Sequence, residues 1–110
     1  MIFEMNLHNE PFELIKSKSK TIEMRINDER RKNLKVGDEI IFTNRLTLEK
    51  LKAKVVDLYY FNSFSELYKA FDKNAIGYRD DEEANPSDMD LYYTKEQQEK
   101  YGVVAIKIEI

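Results

Sequence analysis

The sequence predicts an α+β protein, a small mixed β-barrel with short helices packed around it. Three observations lead there. Short runs of alternating apolar and polar residues recur along the chain, as half-buried strands require. Two capping-box signatures, Ser63-Phe64-Ser65-Glu66 and Thr94-Lys95-Glu96-Gln97, mark helix starts in its second half. The resulting order, β-α-β-(α)-β-β-α-loop-α-β with short strands, suits a barrel with helices laid on it. The 110 residues are the length of one domain, 1–110, and no repeat or composition break divides them.

Each element follows from its residues. Met1 to Leu7 alternates around Ile2, Phe3, Met5 and Leu7 and reads as a first strand. Pro11 suits a first helical turn, and Phe12, Leu14 and Ile15 give a short helix its apolar stripe to about Ser17. Lys18-Ser19 turns the chain into a strand over Lys20–Ile26. Asn27 to Leu34, with Arg30, Arg31 and Lys32, is a polar short helix or turn. Val36-Gly37-Asp38 is a tight-turn signal, because glycine takes positive φ cheaply. A strand over Glu39–Thr43 follows, and Asn44-Arg45 reads as its end or a bulge. Leu48 to Phe61 is a long β-rich run, bent or split in two. Phe64, Leu67, Tyr68 and Phe71 repeat at helical spacing behind the first capping box, to an end near Asp72. Residues 73–90, with Gly77, Pro86 and the acidic run Asp80-Asp81-Glu82-Glu83, read as a long loop of the kind that is functional or disordered. Gly102 stops the last helix, and Val103 to Ile110 alternates strictly as a half-buried closing strand.

Composition narrows the function. The 35% charged fraction implies a well-solvated surface, and no apolar run approaches the roughly 20 residues of a bilayer span. The first residues lack the basic and apolar regions of a secretory signal, so the expected compartment is the cytoplasm. Without cysteine, a disulfide framework, a thiolate zinc site and a cysteine nucleophile are excluded. One histidine, His8, makes a metal site poor, and the acidic run lacks the spaced ligands and glycine of a calcium loop. No Gly-x-Ser-x-Gly and no phosphate-cradling glycine loop occurs, which argues against classical hydrolase and nucleoside-triphosphate chemistry, and no cofactor is expected. A net charge of −3 argues against broad binding to duplex DNA. It conceals an asymmetry: residues 1–54 carry 12 basic and 9 acidic side chains, residues 55–110 carry 6 and 12.

The basic half contains the most informative stretch, Lys20-Thr21-Ile22-Glu23-Met24-Arg25. Ile22, Met24 and Ile26 share one strand face and can enter a core. Thr21, Glu23 and Arg25 share the other, with the Lys20 amine at the strand's start. Arg25 can fork onto a phosphate or carboxylate, Glu23 can accept from the donor edge of cytosine or guanine, and Lys20 can steady a negative charge. By spacing alone, an exposed ion pair of little energetic weight is the plainer reading. Arg45 can extend a cationic rim. Among the tyrosines, Tyr92 and Tyr93 follow the long loop and are the best placed to stack on an unpaired base.

These residues resemble the ASCH domain, a member of the PUA-like superfamily. The family's signature is a short helix ending in Gly-x-Lys and then a strand Lys-Thr-x-Glu-x-Arg, matched here by Lys20, Thr21, Glu23 and Arg25. The likeness continues through Val36-Gly37-Asp38, Ile40-Ile41-Phe42, Tyr59 to Phe64 and Tyr101 to Ile106. The family's glycine falls on Lys18, which adds a cation at the pocket mouth. The resemblance implies a small barrel with a polar cleft, linked to RNA or to modified nucleosides. A related bacterial group hydrolyses acetylcytidine with a Lys, a Thr and a Glu. Its Lys aligns with Lys20, its nucleophilic Thr falls on Glu23, and Glu66 is the candidate for its Glu.

Three functions therefore stand. The first is an RNA- or modified-nucleoside-binding domain, favouring single strands over duplexes, whose site uses Lys20, Thr21, Glu23, Arg25, Arg45, Tyr92 and Tyr93. The second is a small hydrolase with Lys20 and Glu23 as catalytic residues, Glu23 acting as general base. The third is a protein-interaction module whose acidic half meets a basic partner.

Overall fold

The computed structural model describes residues 1–110. Five strands form one curled, half-barrel sheet: β1 (Ile2–Leu7), β2 (Ile22–Ile26), β3 (Glu39–Asn44), β4 (Lys50–Phe61) and β5 (Val103–Glu109), in the spatial order β1-β3-β4-β5-β2. β1 runs parallel to β3 and every other pairing is antiparallel. Three α-helices accompany the sheet: α1 (Asn9–Lys16), α2 (Phe64–Ala70) and α3 (Lys95–Tyr101). Two 3-10 segments, Arg31–Asn33 and Pro86–Leu91, complete it.

Both faces of the sheet are covered. The inner face gathers Met5, Leu7, Ile40, Phe42, Ala53, Val55, Val104, Ile106 and Ile108 against Phe12 and Ile15 of α1. The outer face gathers Ile22, Met24, Ile26, Val103 and Ala105 against Phe64 and Leu67 of α2 and the loop residues Ile76 and Met89. Two expectations are corrected here. β5 is not a half-buried closing strand: it lies between β4 and β2, and Val103 to Ile106 are buried on both faces because α2 and the 73–91 segment cover its outer side. Residues 73–85 are a loop, as expected, but Pro86–Leu91 departs from it as a 3-10 segment. Ala75 O accepts from the amides of Thr21 and Ile22, so the loop docks on β2, and Lys73 Nζ binds the Asp80 carbonyl at 2.9 Å and the Glu82 carbonyl.

The long run before residue 61 is bent, not split. A β-bulge between Val55 and Asp57 inserts Val56 without a partner on β5. Because side chains alternate with period 2, one extra residue exchanges the two faces. Ala53 and Val55 point inward before the bulge; Tyr59 and Phe61 pack on the outer cluster after it. One strand thereby serves both cores.

The caps form as their residues require. Thr94 and Gln97 make a reciprocal capping box. Ser63 Oγ accepts from Glu66 N, but the Glu66 carboxylate reaches one residue further back, to Asn62 N. α2 ends at Ala70, two residues before the expected stop.

Candidate functional site

The barrel is open between its edge strands β1 and β2, and the site is built in that gap. In register, Glu23 sits opposite Ile106 and Arg25 opposite Val104, so both polar side chains lie on the inner face with the core. They do not form a solvent-facing polar strip. Glu23 is 3% exposed and Lys20 7%. Lys20 Nζ lies 2.8 Å from Glu23 Oε1, and Arg25 Nε donates to Glu23 Oε2 at 2.8 Å. Arg25 Nη2 then donates across the gap to the Asn6 carbonyl of β1 at 3.2 Å. Arg30 does the same one pleat along, to Glu4 O at 3.0 Å. Two guanidinium groups thus occupy an edge where strand pairing would otherwise close the barrel.

The triad sets its own electrostatics. Burial opposes ionisation of Glu23, yet the two flanking cations outweigh it and hold its carboxyl at about 2. Burial likewise works against the Arg25 charge, and Glu23 together with the Tyr93 hydroxyl overcomes it, so its pKa rises. Tyr93 is pushed up chiefly by burial.

Around the triad is a cavity of about 570 Å³. Lys20, Glu23, Arg25, Arg45, Tyr92 and Tyr93 all line it. Thr21 does not. Its backbone is spent in the sheet, its amide on Ala75 O and its carbonyl on Ile108 N. Lys18 is also absent from the lining and exposed. With φ +69° it follows α1 in the left-handed conformation that commonly ends a helix and that glycine adopts at least cost. Glu66 lies in a separate depression of about 670 Å³, with Asn27, Tyr60, Glu99, Lys100 and Tyr101, which holds no buried charge.

Each wall is held by identifiable bonds. Lys20 is placed at the end of α1, its amide bonded to Leu14 O at 3.0 Å. Arg45 is placed by Asn44, which is fully buried, donates to Asn9 Oδ1 at 2.9 Å and accepts from Leu46 N. Tyr92 and Tyr93 both donate from the backbone to Met89 O. The two rings differ in use. Tyr93 stacks on Phe64, with ring centroids 6.1 Å apart, and brings its hydroxyl to Arg25. Tyr92 is 58% exposed and lies 6.2 Å from the His8 ring, leaving aromatic surface free at the mouth.

Several lining residues carried no strong signal in the sequence. Tyr68, Tyr78 and Asp88 form a hydrogen-bonded chain of 2.8 and 2.7 Å along one wall, and burial drives the Tyr78 hydroxyl far up. Gly77 has φ +110°, and a methyl there would meet Lys20 Cδ at 3.1 Å. The lining contains four cationic side chains (Lys20, Arg25, Arg31, Arg45) and four carboxylates (Glu10, Glu23, Glu82, Asp88), so it is polar without a strong net charge. No three His, Asp or Glu side chains converge as a metal cage would require.

The ASCH domain family matches residues 5–110. The chain belongs to this family. Three solved structures extend the likeness. The crystal structure of the hypothetical protein PH0355 is 38% identical over 99% of this chain and 98% of its own, with a TM-score of 0.82. The solution structure of protein PF0455 from Pyrococcus furiosus is 36% identical over 99% and 96%, with a TM-score of 0.75. An S128A mutant of the ASCH protein of Zymomonas mobilis is 13% identical, covering 99% of this chain and 68% of its own, with a TM-score of 0.63. That last likeness carries the ASCH fold alone. No curated protein matches the chain. No helix is long and apolar enough to cross a membrane.

Proposed function

We propose that this ASCH domain binds single-stranded RNA or a modified nucleoside by taking one nucleotide unit into the cavity between β1 and β2. The carrying observation is the cavity itself: a floor of buried Lys20 and Glu23 with partly buried Arg25, under a mouth with the exposed Tyr92 ring. A volume of about 570 Å³ suits a small molecule or one nucleotide and is far too small for a duplex. Tyr92 supplies a stacking surface, and exposed Arg45 supplies a cation for a phosphate.

The hydrolase alternative asks Glu23 to act as a general base. A carboxylate held at about 2, with both oxygens already bonded to cations, has little basicity near neutral pH. The site therefore favours binding, with Glu23 as the anchor of two cations. The interaction-module reading leaves the buried triad without a role.

Fluorescence titration of a labelled single-stranded RNA tests the proposal. Tyr92→Ala should weaken binding by about 1–3 kcal/mol if its ring stacks on a base. Arg45→Ala should weaken it and flatten the dependence of log affinity on log salt by about 0.7. Both side chains are exposed, so neither change threatens the fold. Unaltered affinity in both variants overturns the proposal.

A further inference from the structure

The donors and acceptors of the cavity are unevenly placed, and this bears on which base it accepts. Glu23 is the one carboxylate in the floor, and it is already engaged at both ends, Oε1 by Lys20 and Oε2 by Arg25. Lys20 bonds Glu23 and nothing else, so two of its three ammonium N–H groups have no protein partner. The Lys20 chain is pressed against Gly77 and cannot retreat into solvent. Glu23 Oε1 holds one partner and Oε2 two, so about one acceptor site remains against two free Lys20 N–H groups, and the floor gives more hydrogen bonds than it takes. The remaining carboxylates, Glu10, Glu82 and Asp88, lie elsewhere in the lining, and Asp88 already accepts from Tyr78.

From this, resting on the nucleotide reading above, we infer that the cavity discriminates keto bases, uracil and guanine, from amino bases, cytosine and adenine. Exposed Arg45 is the cation of the lining without an ion pair that is best placed to meet a phosphate outside, so the sugar and phosphate stay at the mouth. A base entering in that sense leads with the group farthest from its glycosidic bond. In uracil and guanine that group is a carbonyl oxygen, O4 or O6. In cytosine and adenine it is an amino group, N4 or N6. A carbonyl accepts from Lys20. An amino group meets N–H donors with N–H donors and leaves the ammonium only the neighbouring ring nitrogen to donate to, a mismatch that polar sites penalise. A phosphate in the floor is disfavoured, because Glu23 lies within bonding distance of both floor cations and neutralises most of their charge.

Calorimetric titration of the wild-type protein with UMP, GMP, CMP and AMP, and with uridine, decides the matter. The expected result is that UMP and GMP bind at least about tenfold more tightly than CMP and AMP. Arg45→Ala should weaken UMP while leaving uridine unchanged. Equal affinity for all four nucleotides, or a preference for CMP or AMP, overturns the discrimination and leaves the nucleotide reading standing. Equal weakening of UMP and uridine in Arg45→Ala overturns the base-inward orientation. No binding of any nucleotide or of uridine at millimolar concentration overturns both readings together.

Discussion

Glu23 is the residue on which the site's stability turns. It is a carboxylate in the barrel interior, tolerable there because two cations share it. Its pKa falls from an ordinary 4.5 to about 2 on folding. A depressed carboxylate pKa contributes stability that is complete above the unfolded value and is lost as pH falls through the folded one. Urea midpoints should therefore decline between about pH 4.5 and pH 2, and Glu23→Gln should blunt that decline. At neutral pH the same substitution leaves Lys20 and Arg25 buried without their counter-charge, at a cost of about 3–5 kcal/mol. For this reason the binding roles of Lys20 and Arg25 are better tested through Gly77, Arg45 and Tyr92 than by deleting either cation, since each deletion also unbalances the floor.

Two backbone positions with positive φ hold the elements around the site. Lys18 follows α1 at φ +69°, where a side chain costs about 1–2 kcal/mol that glycine avoids. Lys18→Gly should raise stability by about 1 kcal/mol in chemical denaturation, with RNA affinity unchanged because the side chain lies outside the cavity. Gly77 is the opposite case. At φ +110°, with Lys20 Cδ 3.1 Å from where a methyl would be, Gly77→Ala is strained and crowded together. It should cost about 1–3 kcal/mol of stability and also weaken binding, because Lys20 must move. Unimpaired binding by a folded Gly77→Ala protein would show that Lys20 does not touch the guest. Without the Val56 bulge, Tyr59 and Phe61 would face the inner core and Leu58 the outer one.

Across the whole molecule, the half-barrel is latched where it is not paired. Arg25 and Arg30 reach from one side of the gap to the Asn6 and Glu4 carbonyls of β1. The opening they bridge is what leaves room for a cavity; a continuous ladder between β1 and β2 would fill it with backbone. Arg30→Ala removes one bridge without disturbing the triad. It should lower stability by about 0.5–1.5 kcal/mol, read from urea unfolding, and leave the Glu23 pH dependence in place. Loss of that pH dependence in Arg30→Ala would mean that the two bridges are one unit.

Much of this was legible in the residues. The alternation in β1, the span of β5, the cap at Thr94, and the Val36-Gly37-Asp38 turn with its Gly37 φ of +97° depend on local chemistry and appear where it places them. The nearness of Glu23 and Arg25 also followed from their shared parity on one strand; Lys20 precedes β2 and joins them from the turn after α1. Which way that group faced could not be read locally. Glu23 and Arg25 look like an outer, solvated face until β5 is known to run between β4 and β2, and α2 with Ile76 and Met89 to cover the other side. Gly77, Asp88 and Tyr78 reach the cavity from a segment more than fifty residues along the chain from Lys20, and no periodicity carries information over that distance. Thr21 shares the sequence parity of Glu23 but precedes β2, its amide bonded to Ala75 O and its carbonyl to Ile108 N, and it does not line the cavity. The chain's own order of residues settled its elements and the chemistry of its floor. The burial, pairing and orientation of that floor came from long-range packing, because a charge enters a core only where distant strands bring it an opposite one.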